Sequence, residues 1–325
     1  MEGKIHSFFA GGTVDGPGIR FVIFVKGCPL RCLYCHNPDT WTMDNAKIYT
    51  ADEIVNNALR YKGYFANGGG ITITGGEPLM QIDFVIELLK KFKEYNIHTA
   101  LDTSGIIFDK NNKELLKKFD ELIKYTDLVL LDIKHIDENE HIKLTGKSNR
   151  NVLDFATYLS DNNKDMWIRH VLVPNITLND EYLIKTKEFI DTLKTVKKIE
   201  VLPYHTMGIV KYENLGIDYK LKGTNPPTKE ELRHAKYLSI NNKHMWIRHV
   251  LVPTITLNEK YLKETKEFID TLKTVDKVEV LPYHTMGIVK YENLGIPYRL
   301  KGIDAPTKED VKFAKEILGV KKKCN

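Results

Sequence analysis

The apolar positions of this chain follow two rhythms that alternate along its length. Short, nearly unbroken runs read as buried strands, the first being Arg20-Phe21-Val22-Ile23-Phe24-Val25. Gly70-Ile71-Thr72-Ile73-Thr74, Ile97-His98-Thr99-Ala100-Leu101 and Leu128-Val129-Leu130-Leu131-Asp132-Ile133 repeat the pattern. Between them the spacing changes to that of helices. Thr50 followed by Glu53 forms a capping-box signal for a helix running towards Tyr61. Ile82, Val85, Ile86, Leu89 and Phe92 mark one face of another. Apolar strands separated by amphipathic helices predict a parallel sheet covered by helices. An α/β barrel, whole or partial, would close such a sheet, and an open doubly wound sheet is the alternative.

Polar residues gather where the predicted strands end. Cys28 follows the first, Gly75-Gly76-Glu77 the second, Asp102-Thr103 the third, and Asp132 with Lys134 the fourth. In parallel α/β folds the carboxyl ends of the strands face one common site, so these groups are expected to converge.

Beyond Ala156 the chain repeats itself. Met166-Trp167-Ile168-Arg169-His170-Val171-Leu172-Val173-Pro174 returns as Met245 to Pro253, and Leu202 to Gly208 returns as Leu281 to Gly287. The offset is constant at 79 residues, from Trp167 to Trp246. Each copy reads strand, helix, strand, long loop, helix. Two copies make a tandem duplication rather than a solenoid, with the join in a helix expected over 229–240.

Composition changes this picture little. The 325 residues suffice for one large domain or two small ones. No apolar run approaches the ~20 residues of a membrane span. The first residues carry an acid and no apolar h-region, so a cytoplasmic location is expected. The net charge of +5 is spread along the chain, and Lys321-Lys322-Lys323 reads as a solvated tail. No nucleic-acid or membrane partner is expected.

The cysteines carry more. Of four, three lie in Cys28-Pro29-Leu30-Arg31-Cys32-Leu33-Tyr34-Cys35, a C-x3-C-x2-C spacing. Three thiolates can ligate three irons of a 4Fe–4S cubane and leave the fourth open, whereas electron-transfer clusters usually take four cysteines. Cys28, Cys32, Cys35 and His36 also offer the donor set of a structural zinc site, with Cys324 as a distant further ligand.

The surroundings of the cysteines narrow the choice. Thr13-Val14-Asp15-Gly16-Pro17-Gly18-Ile19-Arg20 precedes them, and His36-Asn37-Pro38-Asp39-Thr40-Trp41 follows. With Gly75-Gly76-Glu77-Pro78, Leu101 to Gly105, Asp132-Ile133-Lys134, Trp167-Ile168-Arg169 and Leu202 to His205, the chain resembles the pyruvate formate-lyase activating enzymes of the radical S-adenosylmethionine family. The likeness spans the chain once one repeat copy is set aside. It implies an α/β fold, a partial (β/α)6 TIM-like barrel, here with a duplicated C-terminal β-α-β-loop-α unit. It implies a cluster on Cys28, Cys32 and Cys35 and an S-adenosylmethionine site built from Tyr34, Cys35, His36, Gly75, Gly76, Asp132, Ile133, Lys134, Arg169 and His205. Asp102, Thr103, Asp132 and the Leu130 carbonyl resemble the family's monovalent-cation site, and Asp15 resembles a residue near the peptide substrate. The implied partners are pyruvate formate-lyase as protein substrate and flavodoxin or ferredoxin as electron donor. The implied reaction is transfer of a hydrogen atom from a backbone glycine to a 5′-deoxyadenosyl radical.

Competing readings remain. Other glycyl-radical enzymes have similar activases, many with an inserted cysteine-rich segment; residues 36–70 contain no cysteine. A zinc-stabilised binding module and an inactive duplicated variant are the alternatives of another class. We place the domain limits at 1–234, the barrel with the first copy, and 235–325, the second copy. The second copy could extend the sheet or stand outside it. The first is contiguous with the preceding helix and is expected to complete the barrel on loop-closure grounds. Arg248 and His284 are then reserve counterparts of Arg169 and His205.

Overall fold

The computed structural model describes residues 1–65, 68–228, 231–232, 245–270, 275–285, 288, 291, 297–300 and 302–320. Cys324 and, but for residues 231–232, the helix expected over 229–240 lie outside them. The chain divides into two compact units, Met1–Leu238 and Ser239–Asn325.

In the first unit β1 (Glu2–Gly12) and β2 (Arg20–Val25) are antiparallel, and β3 (Lys47–Thr50) pairs with the other edge of β1. α1 (Ala51–Leu59) follows, opened by the expected capping box of Thr50 and Glu53. Then come β4 (Gly70–Gly75), α2 (Ile82–Glu94), β5 (His98–Thr103), α3 (Lys113–Tyr125), β6 (Leu128–Asp132), α4 (Glu138–Thr145) and α5 (Arg150–Asp161). The repeat contributes β7 (Met166–Leu172), α6 (Asp180–Asp191), β8 (Val196–Pro203) and the short α7 (Ile209–Leu215).

The sheet order is β3-β1-β2-β4-β5-β6-β7-β8, and every neighbour from β2 to β8 is parallel. Six parallel strands in sequential order form a barrel wall; a doubly wound sheet would reverse order at a switch point. The two faces of these strands differ. Ile71, Ile73, Leu101, Val129, Leu131 and Ile168 pack outward in the main core with the helices, including Phe92, Phe119 and Phe155. Ala100, Leu128, Leu130 and Trp167 form a separate cluster on the other face. That inner face turns polar towards the carboxyl ends, at Thr74, Asp102, Asp132, Arg169 and Glu200, and the period-2 geometry of strands puts these on one side.

In the second unit, β9 (Met245–Leu251) and β10 (Val275–Pro282) form a parallel pair of their own, with α8 (Glu259–Asp270) and α9 (Lys308–Ile317). Leu251, Leu262, Ile269, Val280, Ala314 and Leu318 are its buried core. Its strand register repeats that of β7 and β8, bulge included: Met245 faces Val275 as Met166 faces Val196. Among the described residues no helix is long and apolar enough to cross a membrane.

Candidate functional site

The three cysteines occupy the loop that leaves β2, and neighbouring backbone holds that loop from several sides. Gly27 N–H donates to Thr40 (2.8 Å), Cys28 N–H to Trp41 (3.0 Å), Arg31 N–H to Thr145 (2.8 Å) and Leu33 N–H to Leu144 (3.0 Å). Cys28, Cys32 and Cys35 are free thiols that pack with Leu30, Ile106 and Val152. Burial pushes the Cys28 and Cys32 thiols up to about 12 and raises Cys35 as well. Unaided, these thiols stay protonated; a cationic metal centre is what would make them thiolates. Among the described residues no three His, Cys, Asp or Glu side chains are gathered closely enough to hold a single metal ion. Cys32 is buried and Cys28 and Cys35 are partly exposed, and three cysteines on one loop suit a cluster that keeps one iron open.

Gly75 and Gly76 are forced by protein backbone. Gly75 has φ +128°, and a Cβ there would overlap the backbone of Val25; on Gly76 it would overlap the Gly27 carbonyl. Their smallness lets the β4 loop seat against the cysteine loop, where Gly76 N–H donates to Val25 (3.0 Å) and Glu77 N–H to Gly27 (2.7 Å). Glu77, which sequence reasoning passed over except as part of a motif, is buried and joins two strand ends. It accepts from the Thr103 hydroxyl, from the Ser104 hydroxyl and N–H, and from Leu79 N–H. Burial still raises its carboxyl above the usual range.

Charged groups line the wall beside the cysteines. Arg169 donates to Asp102 at 2.8 Å and lies 3.6 Å from Glu200, and Thr74 also donates to Asp102 at 2.9 Å. Burial opposes the Arg169 charge, but Asp102, Asp132 and Glu200 hold it protonated. Lys134 pairs with Asp132 at 2.8 Å; both lie within electrostatic reach of Cys32. Asp15 lies within reach of Arg169 and Arg20. Ile133 N–H donates to the Arg169 carbonyl at 3.0 Å. Two expected cation ligands are thus partly committed: the Thr103 hydroxyl serves Glu77, and one Asp102 oxygen serves Arg169.

On the far side the loop after β8 folds over the cysteines. The His205 ring stacks on His36, with centroids 3.9 Å apart and planes 22° apart, and His36 Nε2 donates to the His205 carbonyl at 3.2 Å. Burial, then His205, lowers His36 to about 4. The Tyr34 hydroxyl, Asp102 Oδ1 and His205 Nδ1 are buried without a hydrogen-bond partner among the described residues, and native interiors rarely leave such atoms unused. A stacked imidazole pair, two cations and three unused polar atoms fit a zwitterionic nucleoside such as S-adenosylmethionine. The second unit carries the counterparts of Arg169 and His205. Arg248 pairs with Glu279 at 3.0 Å, and His284 follows β10.

A barrel wall with three thiols at the carboxyl end of its first parallel strand is the arrangement of a radical S-adenosylmethionine protein, and residues 22–210 match the Radical SAM superfamily. A pyruvate formate-lyase-activating enzyme of Staphylococcus epidermidis is 51% identical over 247 residues, covering 75% of this chain and 98% of the relative. One from Streptococcus mutans is 51% identical over 240 residues, covering 73% and 91%. A solved domain of pyruvate-formate lyase-activating enzyme from Bacteroides vulgatus is 24% identical, with TM-score 0.43, covering 53% of this chain and 93% of that one. The chain belongs to the radical S-adenosylmethionine superfamily and, within it, to the family of pyruvate formate-lyase-activating enzymes. The quarter of the chain left unaligned with the staphylococcal relative is close to one repeat copy in length.

Proposed function

We propose that this protein activates pyruvate formate-lyase by placing a radical on a backbone glycine of that enzyme. The single observation that carries the reading is the convergence of three free thiols, the His36–His205 stack and the Asp132–Lys134 and Asp102–Arg169 pairs at one end of the wall. Cys28, Cys32 and Cys35 would hold a 4Fe–4S cluster. Bound there and reduced by flavodoxin or ferredoxin, the cluster would cleave S-adenosylmethionine to methionine and a 5′-deoxyadenosyl radical. Lys134 and Arg169 supply positive charge for the cofactor carboxylate, and the polar backbone of Gly75 and Gly76 faces its amino group. Tyr34, His36 and His205 border the nucleoside and keep water from it. Asp15, on the loop before β2, is the candidate closest to the incoming glycine. A monovalent cation beside Asp102 and Asp132 belongs to the same reading, resting on the unused Asp102 Oδ1. The domain limits at 1–234 and 235–325 and the completion of the site by the first copy are part of the proposal; the seating of β7 beside β6 supports them.

The test is anaerobic reconstitution with iron and sulfide, then incubation with reductant, S-adenosylmethionine and pyruvate formate-lyase. A glycyl-radical EPR signal with matching 5′-deoxyadenosine supports the proposal. 5′-Deoxyadenosine without that signal assigns the protein to a different glycyl-radical enzyme. Stoichiometric zinc without iron-cluster absorption would leave only a binding module.

A further inference from the structure

The loop that carries His205 has a second fastening. Lys211, in α7, donates from Nζ to Asn37 Oδ1 at 2.9 Å and to both carboxylate oxygens of Asp39 at 3.1 Å. All three ammonium donors are thereby used. The acceptors belong to the turn that leaves Cys35. Asn37 N–H points at the Cys35 sulfur at 3.4 Å, and the Asn37 carbonyl accepts from the Thr40 N–H (3.0 Å) and hydroxyl (2.7 Å). His6, from β1, donates to the same Asp39 at 2.9 Å. Although burial works the other way, His6 and Lys211 hold Asp39 down to about 2, so it stays ionised. Around this cluster Tyr212 packs edge-on to Trp41 with centroids 5.7 Å apart. Gly208 passes so close that a Cβ would stand 3.1 Å from His36 Cα.

Between β8 and α7 the chain has no ladder of its own, so the position of the His205 ring depends on where α7 is anchored. Resting on the cofactor reading above, we propose that Lys211 is a positioning residue for S-adenosylmethionine: its bonds to Asp39 and Asn37 lock α7 onto the cysteine turn and hold His205 over His36. Its hydrogen bonds go to Asn37 and Asp39 and not to a cysteine. Sequence reasoning missed it because one lysine in a polar stretch carries no signal; only its position opposite Asp39 does.

The experiment compares wild type with Lys211→Met, Lys211→Arg and, in the second copy, Lys290→Met, all as full chains. The first readout is hydrogen–deuterium exchange of the cluster-free protein, on peptides extended to Asp218 so that they differ from the second copy, which has Pro297 there. Lys211→Met should speed exchange over 204–212, and Lys211→Arg and Lys290→Met should not. The second readout is calorimetric binding of S-adenosylmethionine to the reconstituted protein. Lys211→Met should keep its iron and sulfide yet bind about tenfold more weakly, the scale of one hydrogen bond to a charged group. Lys211→Arg should recover most of that loss. Unchanged binding or unchanged exchange in Lys211→Met overturns the proposal, and so does loss of its cluster, which would make Lys211 merely structural. If wild type itself binds no S-adenosylmethionine, the functional reading falls with it; if wild type binds and the variants match it, only the role of Lys211 falls.

Discussion

At the residue scale, the polar side chains of the inner wall act through bonds that motifs alone do not disclose. Arg20 is fully buried and donates to Thr72 (3.0 Å), His98 Nδ1 (3.1 Å) and backbone carbonyls, including Ile71. Because the guanidinium donates to Nδ1, that nitrogen of His98 must be unprotonated, and burial followed by Arg20 lowers the ring to about 4. The unfolded ring, near 6.5, binds a proton first as pH falls, so this contribution to stability is intact above 6.5 and is lost between 6.5 and about 4. Thermal melts across that window should fall more shallowly for His98→Gln than for wild type; parallel curves would discount the pair. Gly76→Ala should act through the cysteine loop. Its Cβ would overlap the Gly27 carbonyl, so the loop must move, at a cost of roughly 2 kcal/mol or more. The expected readouts are a lower melting temperature and reduced iron per chain after reconstitution.

At the scale of elements, β2, β4, β5 and β6 were legible because each carries apolar residues on its outward face, among them Ile23, Ile71, Leu101 and Leu131, and β6 is apolar inward as well at Leu128 and Leu130. The ends were less so. Asp102 and Thr103 close β5 and Gly75 closes β4, although polarity and glycine read as loop. β1 and β3 left no clear pattern. β1 is bulged between Ile5 and Ser7 and again between Ala10 and Gly12, which breaks its alternation. β3 is four residues long with both apolar side chains at least partly exposed. Of the candidate site, the cysteines stood out by their spacing, while His36, Asp132, Lys134 and Arg169 were singled out through the family resemblance. Glu77 and Lys211 were not, because each acts by pairing with a residue far along the chain, and Glu200, which pairs with nearby Lys198 and lies 3.6 Å from Arg169, belongs to no motif. β6 is the middle of the parallel wall, and Leu131 is fully buried in the main core. Leu131→Ala should cost about 2–5 kcal/mol in denaturant titration. A cost under 1 kcal/mol would mean that the outward face of β6 does not anchor the helices.

At the scale of the whole molecule, the duplication sets two nearly identical halves of a site in one chain, and only neighbours can tell them apart. β7 sits between β6 and β8, so Arg169 meets Asp102 while His205 meets His36. β9 has β10 as its ladder partner, and Arg248 meets Glu279. The internal pairings are copied faithfully: Tyr204 and Tyr219 share a hydroxyl contact at 2.9 Å, and Tyr283 and Tyr298 one at 2.7 Å. Residues that satisfy one another within a copy therefore cannot identify the functional one. Residues that reach into the barrel can, and His205 is the sharpest of these because its ring lies on His36. His205→Ala should weaken S-adenosylmethionine binding by about tenfold, a loss of roughly 1.4 kcal/mol, and leave the cluster's iron and sulfide unchanged. His284→Ala should bind as wild type does. Equal losses would mean that both copies serve the site in turn, and a loss confined to His284→Ala would transfer the site to the second copy. With the full chain as the only background, calorimetry on these two variants decides which half the barrel uses.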